Sequence, residues 1–93
     1  MEDHDYDQQR ATGAQQIIER LRQFAKDSDV EITRGTWNND GSLKGRQSHL
    51  LEAKAGAKSA SGEFSDEQLA DYPRHAATAL TDAMLREMVR QLK

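Results

Sequence analysis

The sequence predicts a single small α+β domain, with an N-terminal helix, a β-hairpin or small sheet, and C-terminal helices. Three observations predict it. Ile17, Leu21 and Phe24, with Ile18 and Ala25 beside them, recur at the spacing of one helical face. Val30-Glu31-Ile32-Thr33 alternates apolar with polar and is rich in β-branched residues, and a turn signal follows at Asn38-Asn39-Asp40-Gly41. Across residues 74–92, Ala76, Leu80, Met84, Met88 and Leu92, flanked by Ala77, Leu85 and Val89, give a long stretch a wide apolar face.

The elements follow in order. Residues 1–10 carry Glu2, Asp3, Asp5 and Asp7 against Arg10 and almost no aliphatic side chain, which predicts a disordered acidic tail before a domain at 11–93. Thr12-Gly13-Ala14-Gln15 fits a capping box and starts the first helix, over 13–26, which stops in Asp27-Ser28-Asp29. The strand from Val30 extends towards Trp37. The chain then turns, because Asn and Gly tolerate the positive φ of tight turns, and returns through 47–53 with Leu50 and Leu51 as its apolar centre. Residues 56–62 are small and polar, a mobile loop by composition. Ser65-Asp66-Glu67-Gln68 is a second capping box, opening a short helix that Pro73 kinks or ends before the final one.

Only 35% of the 93 residues are hydrophobic and 31% are charged, so the core is thin and a partner subunit or ion is a plausible source of extra stability. No apolar run reaches the roughly 20 residues that span a bilayer, which predicts a cytoplasmic protein with no membrane partner. The absence of cysteine excludes disulfides, thiolate metal sites and a cysteine nucleophile, and His4, His49 and His75 lack ligand spacing. The net charge is −3, yet across residues 33–58 the five cations Arg34, Lys44, Arg46, Lys54 and Lys58 face only Asp40 and Glu52, leaving +3. A local basic stripe in an acidic chain is a candidate phosphate-binding surface, and equally an ordinary solvated face.

Chemistry enters at Leu50-Leu51-Glu52-Ala53-Lys54. An apolar strand ending in Glu-x-Lys resembles the core motif of the PD-(D/E)xK nuclease superfamily, and strand alternation puts Glu52 and Lys54 on one face. Asp40 lies twelve residues upstream, a separation similar to that of the superfamily's first metal carboxylate. Gln68 and Tyr72, four apart, resemble the Q-x-x-x-Y motif of the RecB-like branch, and Glu19 sits where many members carry an additional acid. The resemblance spans residues 19–72. It implies Mg²⁺ or Mn²⁺ held by Asp40 and Glu52, Lys54 assisting the nucleophile, and Arg34, Lys44, Arg46 and Lys58 on phosphates. The residues also carry plainer readings. Gln68 completes a capping box, Tyr72 packs at a helix junction, Asp40 serves a turn, with Glu31 then the alternative carboxylate, and Trp37 is a core anchor. The superfamily's further strand after the helix following Glu-x-Lys is missing, which implies a homodimer that completes the sheet or a degenerate relative. Three functions therefore stand open: a metal-dependent nuclease or nuclease-derived domain acting on DNA, a small non-enzymatic module that docks on a larger protein, and a non-catalytic nucleic-acid-binding protein.

Overall fold

In the computed structural model, which describes residues 2–75 and 78–93, α1 (Glu2–Asp27) is followed by β1 (Arg34–Trp37), β2 (Ser48–Ala55) and β3 (Lys58–Ser65). A short helix α2 (Asp66–Asp71), a single 3-10 turn (Tyr72–Arg74) and α3 (Thr78–Leu92) complete the chain. This is the α+β architecture the sequence predicts. The three strands form an antiparallel meander in the order β1-β2-β3, with the helices against one face. No described helix is long and apolar enough to cross a membrane.

The first helix, at 26 residues, is nearly twice the expected length. It runs through the acidic segment 2–10 where a disordered tail was expected, and Thr12 and Gly13 lie inside it. Its inward stripe explains why. Ala14, Ile17, Leu21, Phe24 and Ala25 are buried in the expected way, but Arg10 continues the stripe at 8% exposure and Tyr6 is half-buried one turn earlier. A polar continuation has no hydrophobic signature, so apolar periodicity ends the helix too early. Gly13 is a packing residue. A Cβ there would lie 1.7 Å from the Leu69 carbonyl oxygen of α2.

The helix ends where the sequence places its end, by a device that consumes part of the expected strand. Asp29 adopts φ 60°, its N–H donates to the Lys26 carbonyl, and the Val30 N–H donates to the Ala25 carbonyl at 2.8 Å. This is a Schellman closure, with Val30 packing back as its apolar residue. Residues 30–33 therefore lead into the sheet, and the strand itself starts at Arg34.

In β2 the side chains alternate cleanly. His49, Leu51 and Ala53 are buried beneath the helices, whereas Ser48, Leu50 and Lys54 are exposed and Glu52 is half-buried on the open face. Leu50, expected in the apolar centre, is 37% exposed, because a strand covered on one side buries only every second residue. The expected mobile loop at 56–62 is instead a two-residue turn and most of β3. Gly56, at φ 63°, takes the first turn position of a type II′ hairpin, and the register from Ala55↔Lys58 to Ser48↔Ser65 contains no bulge. Its Ser- and Ala-rich sequence has little strand propensity. Pairing with β2 and the seating of Met88 over Gly62 hold it in place.

The core gathers Ile17, Leu21, Leu51, Phe64, Leu69, Leu85 and Met88 between sheet and helices. Trp37 anchors it, edge-on to Phe64 (5.7 Å) and His49 (6.2 Å), with its indole N–H donating to the Ala14 carbonyl. The capping box at Ser65–Gln68 forms as expected. The final helix starts at Thr78 rather than 74, and its buried face is Thr81, Leu85, Met88, Val89 and Leu92, leaving Leu80 59% exposed. Ala76 and Ala77, expected on that face, lie outside the described residues.

Candidate functional site

Strand pairing builds the open face. Arg34 stands directly opposite Lys54, and Thr36 opposite Glu52. With Asn39 from the following turn these side chains line a shallow depression of about 170 Å³. Glu52 and Lys54 thus share one face, as the alternation requires. Like charges directly opposite on neighbouring strands destabilise the pairing, and among the described residues no carboxylate lies within ion-pair distance of Arg34 or Lys54. The Arg34 Nε–H donates to Thr36 Oγ1 at 3.3 Å.

The other residues singled out in the sequence do not join them. Asp40 stays in the turn, its Oδ1 accepting the Ser42 N–H at 2.8 Å, and it does not line the depression. Gln68 completes the capping box and donates to Thr81 Oγ1 and Met84 Sδ of α3. The Tyr72 hydroxyl donates to Asp82 Oδ1 at 2.8 Å, also on α3. Burial and this hydrogen bond push the Tyr72 phenol up to about 12. Both residues lie with the helices, on the side of the sheet away from Glu52 and Lys54. Glu19 is on α1 beside Gln15, and Glu31 precedes β1. Of the remaining cations, Lys44 lies near Asp7 at 3.7 Å, Arg46 borders a depression with Tyr6 and Asp66, and Lys58 donates to the Lys93 carbonyl.

A divalent cation fits this arrangement poorly. Glu52 is the one carboxylate lining the depression, two cations flank it, and among the described residues no three His, Asp or Glu side chains converge as a metal would need.

A second constellation escaped the sequence reading. His49, fully buried, is bonded through Nε2 to Asp66 Oδ1 at 2.7 Å and through Nδ1 to the Asn38 amide at 2.9 Å. Asn38 Oδ1 accepts the Leu50 N–H, so its NH₂ group faces the ring, which fits a neutral imidazole carrying its proton on Nε2. Asp66 further accepts from Arg10 Nε (2.5 Å) and Nη2 (3.1 Å) and from the Tyr6 hydroxyl (2.9 Å), and Arg10 also reaches Asp7. Burial raises the Asp66 carboxyl, but the bonds from Arg10, His49 and Tyr6 outweigh it and hold the group below its usual range. The same contacts hold the Arg10 guanidinium in its charged form. The network ties the first turns of α1 to β2, α2 and the β1–β2 turn. Within it His49 is shielded from solvent, with both ring nitrogens partnered. Two signals could have found it: His49 alternates with Leu51 and Ala53, and Arg10 precedes Ala14 and Ile17 at helical spacing.

Comparison with protein-family models, with curated proteins and with solved structures finds no match to this chain.

Proposed function

We propose that this chain is a non-catalytic binding module for a polyanionic backbone, and that it holds the phosphates of DNA on its open sheet face. The observation that carries this reading is the direct opposition of Arg34 and Lys54 with no ion-pair partner among the described residues. The repulsion weakens the sheet in the free protein and is relieved when an anion lies between the two side chains. Thr36 and Asn39 add neutral hydrogen-bonding groups to the same depression. Trp37 and Phe64 are both buried, so the described open face offers no aromatic platform for base stacking. Recognition by backbone charge, with little dependence on sequence, is the consequence. A second copy presenting the same face would double these contacts.

Fluorescence anisotropy with labelled DNA, titrated at several salt concentrations, tests the proposal. Wild type should bind with an affinity that falls as salt rises, and Arg34→Ala with Lys54→Ala should weaken binding and reduce the salt slope by about 2. Undetectable binding at low salt, or a slope unchanged in the double variant, would defeat it.

Metal-dependent cleavage is the second reading, favoured by Glu52 and Lys54 sharing one face. Turnover of DNA that requires Mg²⁺ or Mn²⁺ and is lost in Lys54→Ala would establish it in place of simple binding.

A further inference from the structure

We propose that β3 is a pairing edge for a second copy of this chain, which joins it antiparallel across a two-fold axis at Ser61. This does not rest on the anion-binding reading. The inference starts from hydrogen-bond parity. The two-residue turn makes Ala55 and Lys58 a hydrogen-bonded pair, so antiparallel alternation directs the backbone groups of Lys58, Ala60, Gly62 and Phe64 towards β2. Those of Ser59, Ser61 and Glu63 point outward, and among the described residues they have no backbone partner.

Sheet edges are normally guarded by shortness, proline, bulges or charge. The edge at β1 is guarded by its length of only four residues, whereas the charges of β3, Lys58 and Glu63, flank its centre and leave the middle uncharged. The edge at β3 is eight residues long, unbulged and free of proline, with Ser59, Ala60, Ser61 and Gly62 at its centre. Small side chains there let another backbone approach.

The strand is also complementary to itself. With Ser61 on the axis, Ser59 of each copy faces Glu63 of the other and Ala60 faces Gly62, so no like charges meet. All the outward-directed backbone groups then pair, and the side chains keep their faces, with Ser59, Ser61 and Glu63 of both copies on the open side. A six-stranded sheet results, with the two Arg34–Lys54 depressions on one continuous surface. A separate observation favours the same contact. Arg86 of α3 stacks on Phe24 of α1, and helical spacing puts Leu80, Met84 and Glu87 on the other flank. α3 packs on β3, the outer strand, and its flank away from α1 carries Leu80, the most exposed large apolar side chain described. In the dimer the two α3 flanks face each other.

Sedimentation of the full chain, combined with site-directed cross-linking, tests this. Wild type should be dimeric at micromolar concentration. Ser61→Pro removes two of the pairing N–H groups and should weaken association at least about tenfold with an unchanged circular-dichroism spectrum. In this cysteine-free chain, Ser61→Cys should oxidise to a covalent dimer, because paired Cα atoms sit roughly 5.5 Å apart, within disulfide reach. Ser59→Cys should not, since its two copies lie about 14 Å apart. A wild type that sediments as a monomer, or a Ser59→Cys that cross-links as readily as Ser61→Cys, would overturn the proposal. Should Ser61→Pro fail to fold, the cysteine pair decides alone.

Discussion

His49 and Asp66 are joined by a 2.7 Å hydrogen bond that ties the buried start of β2 to the first residue of α2. Arg10 arrives at the same carboxylate from α1, 56 residues away in sequence. Three elements therefore share one largely shielded acceptor, and its removal should be felt across the fold.

Asp66→Asn replaces an acceptor with a group that presents an NH₂ to Arg10 or His49. We expect a loss of about 2–4 kcal/mol, read by urea denaturation with the fluorescence of Trp37, the one tryptophan and a neighbour of His49. The pH dependence has a defined sign. Because the folded-state value is lowered, Asp66 contributes stability above its unfolded value of about 3.9, and this is lost as pH falls through the folded value. The variant should lack this part of the acid transition.

Tyr72 makes the opposite prediction at high pH. Its phenol is raised to about 12, so its stabilising contribution is complete below the unfolded value of about 10 and is lost as pH rises through the folded one. Phenolate absorbance should show a late-titrating tyrosine that disappears in Tyr72→Phe. Titration of that tyrosine at the ordinary value would contradict the Tyr72–Asp82 contact.

Gly13→Ala should destabilise the protein even though alanine favours a helix by about 1 kcal/mol over glycine. The added Cβ meets the Leu69 carbonyl at 1.7 Å, and backbone cannot move aside as a flexible side chain can. A net loss of about 1–3 kcal/mol in thermal or urea unfolding is expected. A stabilised variant would mean that α1 and α2 do not approach this closely.

Glu52→Gln separates the two functional readings. As the one carboxylate in the depression, Glu52 opposes an incoming phosphate, so its neutralisation should leave DNA binding intact or tighten it up to about tenfold at low salt. A nuclease would instead lose its metal-dependent turnover. Anisotropy and a cleavage assay on the same preparation distinguish them.

Much of the fold was legible because its signals are local. The Ser65–Gln68 capping box, the Asn38–Gly41 turn and the stop after Lys26 each depend on side chains acting within a few residues of their own backbone. The stripe from Ala14 to Ala25 was legible because one helix face buries aliphatic residues at a fixed period. Glu52 and Lys54 were placed correctly on one strand face by alternation alone. Asp40, Gln68 and Tyr72 had two readings each, and residue spacing has no means of choosing between them. The structure has Asp40 bonded in its turn and the other two bonded to α3.

The sequence by itself determined the α+β class, most helix and turn boundaries, and the uneven charge that makes residues 33–58 basic. Only the tertiary structure decided that residues 2–10 continue a helix, that 56–62 is mostly strand, and that Leu50 and Leu80 face outward while His49 and Arg10 face inward. The physical reason is the same each time. Arg10 is buried because Asp66 awaits it, and β3 is a strand because β2 offers a full ladder of partners. A residue's own neighbourhood encodes how it can end a helix or make a turn. What it buries against is set by groups tens of residues away, which meet only when the chain has folded.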